Sequence, residues 1–155
     1  SPKSTRRCGG IRIFFFPFYL APVQIHVMNI LLDTQALLWF LLNDSRLSGK
    51  ALEIIVDANE LTFVSPASLW EIAIKISLGK YALPTSFESF WTEQLQINDF
   101  TLLPIAVSHV ARVVALPFHH RDPFDRLIIA QSLVEAVPVV SSDTLFDQYG
   151  ADRIW

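Results

Sequence analysis

Cysteine is all but missing from these 155 residues: Cys8 stands alone. A disulfide framework is excluded, and a reducing compartment is expected. Glycine is scarce as well, with Gly9 and Gly10 near the start and only Gly49, Gly79 and Gly150 in the body of the chain. These cannot form a glycine-rich phosphate loop, and no Ser-containing nucleophile elbow is present. Charged residues make up only 17% of the chain. Acids are absent from residues 1–27, which hold Lys3, Arg6, Arg7 and Arg12, whereas residues 28–155 carry eight basic and fifteen acidic side chains. That acidic body lacks the electrostatic footprint of a protein that coats nucleic acid. Any handling of nucleic acid should be local and helped by a cation. An uninterrupted apolar span of ~20 residues, the length that crosses a bilayer, is lacking too. Arg12, Pro17, Pro22, Gln24 and His26 break up the aromatic run Ile13-Phe14-Phe15-Phe16-Pro17-Phe18-Tyr19-Leu20. Internal repeats and low-complexity tracts are not seen.

What is present is a chain 52% hydrophobic and long enough for one domain with a sizeable core. Buried parallel strands, and helices apolar nearly all round, produce such a balance. The basic-then-apolar order of residues 1–27 also fits a secretory signal. The reading preferred here is an upstream extension outside the fold, with Met28 as the true start and residues 28–155 as a cytoplasmic domain.

From Met28 the chain alternates. Strands are expected at 29–32, 61–64, 100–103 and 138–141, with an edge strand at 153–155. Helices are expected at 34–42, 48–58, 65–78, 87–97, 107–116 and 122–137, with a short one at 144–149. Ser65-Pro66 and Asp122-Pro123 are cap-then-proline starts, and Gly79 ends its helix. Strands alternating with helices mean an α/β fold with a mostly parallel sheet. The functional edge of such a sheet is where strands end and helices begin.

Four acids are placed to meet at that edge. Asp33 and Asp143 follow strands directly, although either could simply cap the next helix. Asp125 sits one turn into the helix begun by Asp122-Pro123, and could close a capping arrangement with Asp122. Asp122 is assigned to the cap. Glu71 is the most informative, because it lies two turns inside its helix, too deep to cap it. Its neighbours Leu69, Trp70, Ile72, Ala73, Ile74 and Ile76 are nearly all apolar. An ion pair with Lys75 would be worth only ~0.3–0.5 kcal/mol, and a charge in such surroundings needs a strong partner. Carboxylates from separate elements suit Mg²⁺ or Mn²⁺, which take oxygen ligands and activate water for phosphodiester hydrolysis. His119 and His120 are expected to be exposed or to contact a substrate phosphate. A zinc site would want a third ligand, for which His109 is a weak candidate.

These residues carry a resemblance. The motifs are Leu31-Leu32-Asp33-Thr34, Ser65-Pro66-Ala67-Ser68-Leu69-Trp70-Glu71 and onward to Lys75, His119-His120-Arg121-Asp122-Pro123-Phe124-Asp125-Arg126 and onward to Gln131, and Val140-Ser141-Ser142-Asp143. In this order they make the chain similar to the PIN-domain family, specifically the VapC-like toxins of bacterial toxin–antitoxin pairs. The resemblance implies a three-layer α/β/α sandwich and a Mg²⁺- or Mn²⁺-dependent ribonuclease. It also implies a cognate antitoxin partner and a homodimer. The family's acidic quartet falls on Asp33, Glu71, Asp125 and Asp143, with Thr34 and Ser142 in support and Asp122 as a lesser supporting candidate. Gln35 departs from the His that relatives often carry. Lys75, Arg121 and Arg126 are candidate phosphate contacts, though surface salt bridges explain them equally well. The rival reading is a PIN-fold module that binds RNA or protein without cleaving. A metal phosphatase would want a second Asp at position 35.

Overall fold

The computed structural model describes residues 28–57 and 59–155. The expectations for residues 1–27 lie outside the described residues. The alternation seen in the sequence is realised in order: β1 (Asn29–Leu32), α1 (Thr34–Leu41), α2 (Gly49–Val56), β2 (Leu61–Val64), α3 (Pro66–Ser77), α4 (Phe87–Ile97), β3 (Phe100–Leu102), α5 (Val107–Ala115), α6 (Pro123–Glu135), β4 (Val139–Val140), a 3₁₀ helix (Thr144–Tyr149) and β5 (Arg153–Ile154).

The strands form one sheet in the order β3-β2-β1-β4-β5, and each of its pairings is parallel. Successive strand residues point to opposite faces, and β1 shows this directly. Ile30 and Leu32 enter a core with α1, α2, Ile72 of α3 and Trp91 of α4. Leu31 enters a second core with Ile128, Ile129 and Ala130 of α6, Leu116 and Phe146. The sheet is therefore covered on both faces, which gives three layers and explains the high apolar content.

Several boundaries differ from those expected. Helix α6 ends two residues early because Ala136 takes a left-handed conformation (φ 52°) and closes the helix without a glycine. Strand β4 shrinks to two residues. Pro138 has no N–H for the ladder, although its carbonyl still accepts from Leu31 N–H at 2.9 Å. Both cap-then-proline starts are as read: Ser65 accepts from Ala67 N–H, and Asp122 accepts from the N–H groups of Phe124 and Asp125.

The strand order has a consequence for the site. Leaving β1, the chain goes by way of β2 to β3 on one side, then crosses to β4 on the other. The reversal lies between β1 and β4. A crevice outside the carboxyl ends of the strands opens at such a switch point. Asp33 and Asp143 follow those two strands.

Candidate metal centre at the sheet's switch point

The four acids, together with Thr34, Gln35, Ser142 and Phe146, line one cleft of about 240 Å³. A larger hollow of about 330 Å³ is lined by Asp57, Glu60 and Asp99 among others. Glu60 and Asp99 directly precede β2 and β3, so that hollow lies at the amino ends of the strands, away from the switch point.

Each wall of the cleft has a local cause. Asp33 is held between β1 and α1: its N–H donates to Val140 O at 3.1 Å, and its Oδ1 accepts from Ala36 N–H at 2.6 Å. It is only 5% exposed. Its capping role and its place in the cleft are thus compatible. Asp143 likewise caps the 3₁₀ helix, accepting from Leu145 N–H at 2.9 Å, while its own N–H donates to Ser141 Oγ at 3.1 Å. Glu71 keeps the anticipated partner, with Lys75 Nζ 2.7 Å from Oε1. Burial opposes charge on Lys75, but the hydrogen bond and charge of Glu71 outweigh it and raise the lysine's pKa. Asp125 does not close the capping arrangement: among the described residues its carboxylate accepts no hydrogen bond, and it faces the cleft instead. The neighbours of Glu71 and Asp125, Trp70 and Phe124, pack edge to face at 5.1 Å and fix α3 against α6.

The electrostatics are those of a site short of positive charge. Burial, and then repulsion from Asp143 and Glu71, raise the Asp33 pKa to about 6 against the pull of the Ser141 hydroxyl and the Ala36 N–H. Burial and the charges of Asp122 and Asp33 raise Asp125 to about 7. Carboxylates crowded this way either protonate or are neutralised by a cation. Among the described residues no three His, Cys, Asp or Glu stand close enough to grip an ion as placed. The all-oxygen donor set and the unmet negative charge nevertheless fit a hard divalent cation.

Two expectations are corrected. Arg126 is not at the phosphate position. It is 5% exposed, and its guanidinium donates to Pro117 O at 2.7 Å, Leu116 O at 3.1 Å and Val113 O at 3.2 Å. It satisfies the carbonyls left over at the end of α5 and joins α5 to α6. His120 is neither exposed nor free for a phosphate: it is 8% exposed, with Nε2 2.7 Å from Asp143 Oδ2. His119 and Arg121 are exposed as expected. His109 lies elsewhere, pairing with Glu135 at 2.7 Å.

Other supporting residues went unread in the sequence. The Thr34 hydroxyl donates to Ser68 Oγ at 3.0 Å, and Gln131, fully buried, donates to Leu103 O at 3.0 Å and accepts from the Ser65 hydroxyl. Ser68 and Gln131 stood within the quoted motifs, but no local rule distinguishes such a hydroxyl or amide from a packed one. Ser141 looked like the end of a strand.

An α/β domain with four carboxylates at its switch point is a candidate for cation-dependent phosphate chemistry, and comparison with known proteins supplies the family. The PIN domain model matches residues 30–152, and the chain belongs to the PIN-domain family. No curated protein matches it significantly. Solved structures share the fold. The structure of VapBC2 from Rickettsia felis bound to a promoter DNA fragment aligns at 13% identity with a TM-score of 0.61, covering 82% of this chain and 98% of that one. FitAcB from Neisseria gonorrhoeae aligns at 17% and 0.56, covering 81% and 96%. A toxin–antitoxin complex from Klebsiella pneumoniae aligns at 15% and 0.55, with the same coverage. Among the described residues, no helix is long and apolar enough to cross a membrane.

Proposed function

We propose that the protein is a divalent-metal-dependent endoribonuclease acting as the toxin of a toxin–antitoxin pair. One observation carries the reading: Asp33, Glu71, Asp125 and Asp143, from four separate elements of a PIN domain, line one cleft at the switch point. When bound there, Mg²⁺ or Mn²⁺ would lower the pKa of a water and neutralise charge on the phosphate. Asp33 and Asp125 would hold it most deeply, because burial leaves their charges with the most to gain. Glu71 and Asp143 would complete the set. Thr34 and Ser142 offer hydroxyls on the same wall. The substrate phosphate would be met by exposed Arg121, with Lys75 already engaged by Glu71. Solved neighbours described as toxin–antitoxin complexes favour an antitoxin partner here, and a homodimer remains part of the proposal.

The test is cleavage of a mixed structured RNA by the full chain in Mn²⁺, in EDTA, and with Asp33→Asn. Cleavage that needs both the metal and Asp33 supports the nuclease. Metal binding without cleavage points to a narrow RNA specificity, whereas neither cleavage nor metal binding favours the rival reading, a PIN-fold module that binds RNA or protein.

A further inference from the structure

We propose that His120, locked by Tyr149, is a positioning residue that holds Asp143 at its corner of the cleft. The inference rests on the reading of the cleft as a divalent-cation site and deepens it. Asp143 is the quartet member that needs such help. Its side chain is 41% exposed, against 14% for Glu71, and it opens a six-residue 3₁₀ helix after a two-residue strand. A carboxylate so placed would exchange rotamers in solvent.

Two donors prevent this. Leu145 N–H holds Oδ1 at 2.9 Å, and His120 Nε2 lies 2.7 Å from Oδ2. The imidazole is itself fixed. It stacks on Tyr149 at 5.5 Å with an interplanar angle of 23°, and meets Phe146 edge to face at 5.4 Å. Tyr149 also sets the tautomer. Its hydroxyl oxygen accepts the His120 backbone N–H at 2.6 Å and lies 3.2 Å from Nδ1. A phenol has one proton to give. Donated to Nδ1, it leaves the imidazole proton on Nε2, aimed at Asp143. Carboxylate ligands to metals are commonly held by such outer hydrogen bonds.

The clamp also joins two walls. His120 lies two residues before Asp122, the cap of the helix that carries Asp125. The one hydrogen bond to Asp143 thus ties the α5–α6 loop to the loop after β4. His109 provides an internal contrast. It is 1% exposed, accepts from Ala106 N–H through Nδ1 at 2.9 Å and pairs with Glu135 at 2.7 Å. Glu135 is at the far end of α6 and does not line the cleft, so the same kind of bond there only joins helices.

The experiment is Mn²⁺ binding to the full chain, read by electron paramagnetic resonance and accompanied by thermal melts. His120→Ala is expected to weaken binding about 10- to 100-fold, the usual effect of losing an outer-shell partner. His120→Gln, whose amide N–H can reach Oδ2, should recover most of it, and Tyr149→Phe should fall between. His109→Ala should lower the melting temperature without changing Mn²⁺ affinity. Unchanged affinity in His120→Ala overturns the proposal, as does equal weakening in the Ala and Gln variants. If His120→Ala does not fold, unchanged affinity in Tyr149→Phe overturns it instead. A wild type that binds Mn²⁺ and an Asp33→Asn variant that does not, beside an unaffected His120→Ala, sink this inference alone. A wild type that binds no Mn²⁺ sinks the reading of the cleft with it.

Discussion

Replacing Asp33 with Asn should make the metal-free protein more stable, chiefly at neutral and alkaline pH. Asn keeps the carbonyl oxygen that caps Ala36 N–H and removes the charge that burial opposes. In the folded protein the Asp33 pKa stands at about 6, against an ordinary aspartate value of 3.8. An acid whose pKa is raised on folding contributes stability that is fully present below the unfolded pKa and lost as pH rises through the folded one. At pH 8 the ionised carboxylate therefore costs about 3 kcal/mol, at 1.36 kcal/mol per pKa unit. At pH 4.5 the same linkage leaves a cost of only about 1 kcal/mol. Urea unfolding in EDTA, followed by the fluorescence of the four tryptophans, should show Asp33→Asn more stable by about 2–3 kcal/mol at pH 8 and by much less at pH 4.5. Added Mn²⁺ should narrow the gap at pH 8, because it stabilises the wild type by mass action. No gain at pH 8, or an equal gain at both pH values, would refute the electrostatic account of the cleft.

Other substitutions separate the roles assigned above. Asp125→Asn should abolish cleavage and weaken metal binding with the fold intact by circular dichroism, whereas Asp122→Ala should cost about 1 kcal/mol through its lost cap and keep partial activity. Arg126→Met should destabilise by about 3 kcal/mol or more, because three carbonyls at the end of α5 lose a charged donor. Arg121→Ala should leave the urea midpoint unchanged and raise KM for RNA; the opposite pattern in this pair would restore Arg126 to the phosphate. Gln131→Leu should cost about 1–3 kcal/mol by stranding Leu103 O and the Ser65 hydroxyl, read as a lower melting temperature with Mn²⁺ affinity retained.

How much was legible beforehand follows from the range of the forces involved. Helices and strands are chosen by signals a few residues long. Asp122-Pro123 and Ser65-Pro66 start helices whatever surrounds them, since a side-chain oxygen and a fixed φ act locally. The alternation of short apolar strands with helices then required a covered parallel sheet. The acids after β1 and β4 were recognisable as residues at a sheet edge, and Glu71 as a charge set too deep in its helix to cap it. The sequence by itself therefore determined the element order, the fold class and the choice of four candidate carboxylates. Only the tertiary structure decided that the sheet reverses between β1 and β4, because strand order depends on contacts between segments far apart in the chain. The same holds for the roles of the basic residues near the site. Arg126 and His120 sit in one loop-and-helix motif and look equally available for a phosphate. One is drawn inward by the open carbonyls of α5, and the other by Tyr149 and Asp143, partners 29 and 23 residues away. No local pattern encodes a hydrogen bond across that distance, so these assignments became visible only once the helices had packed.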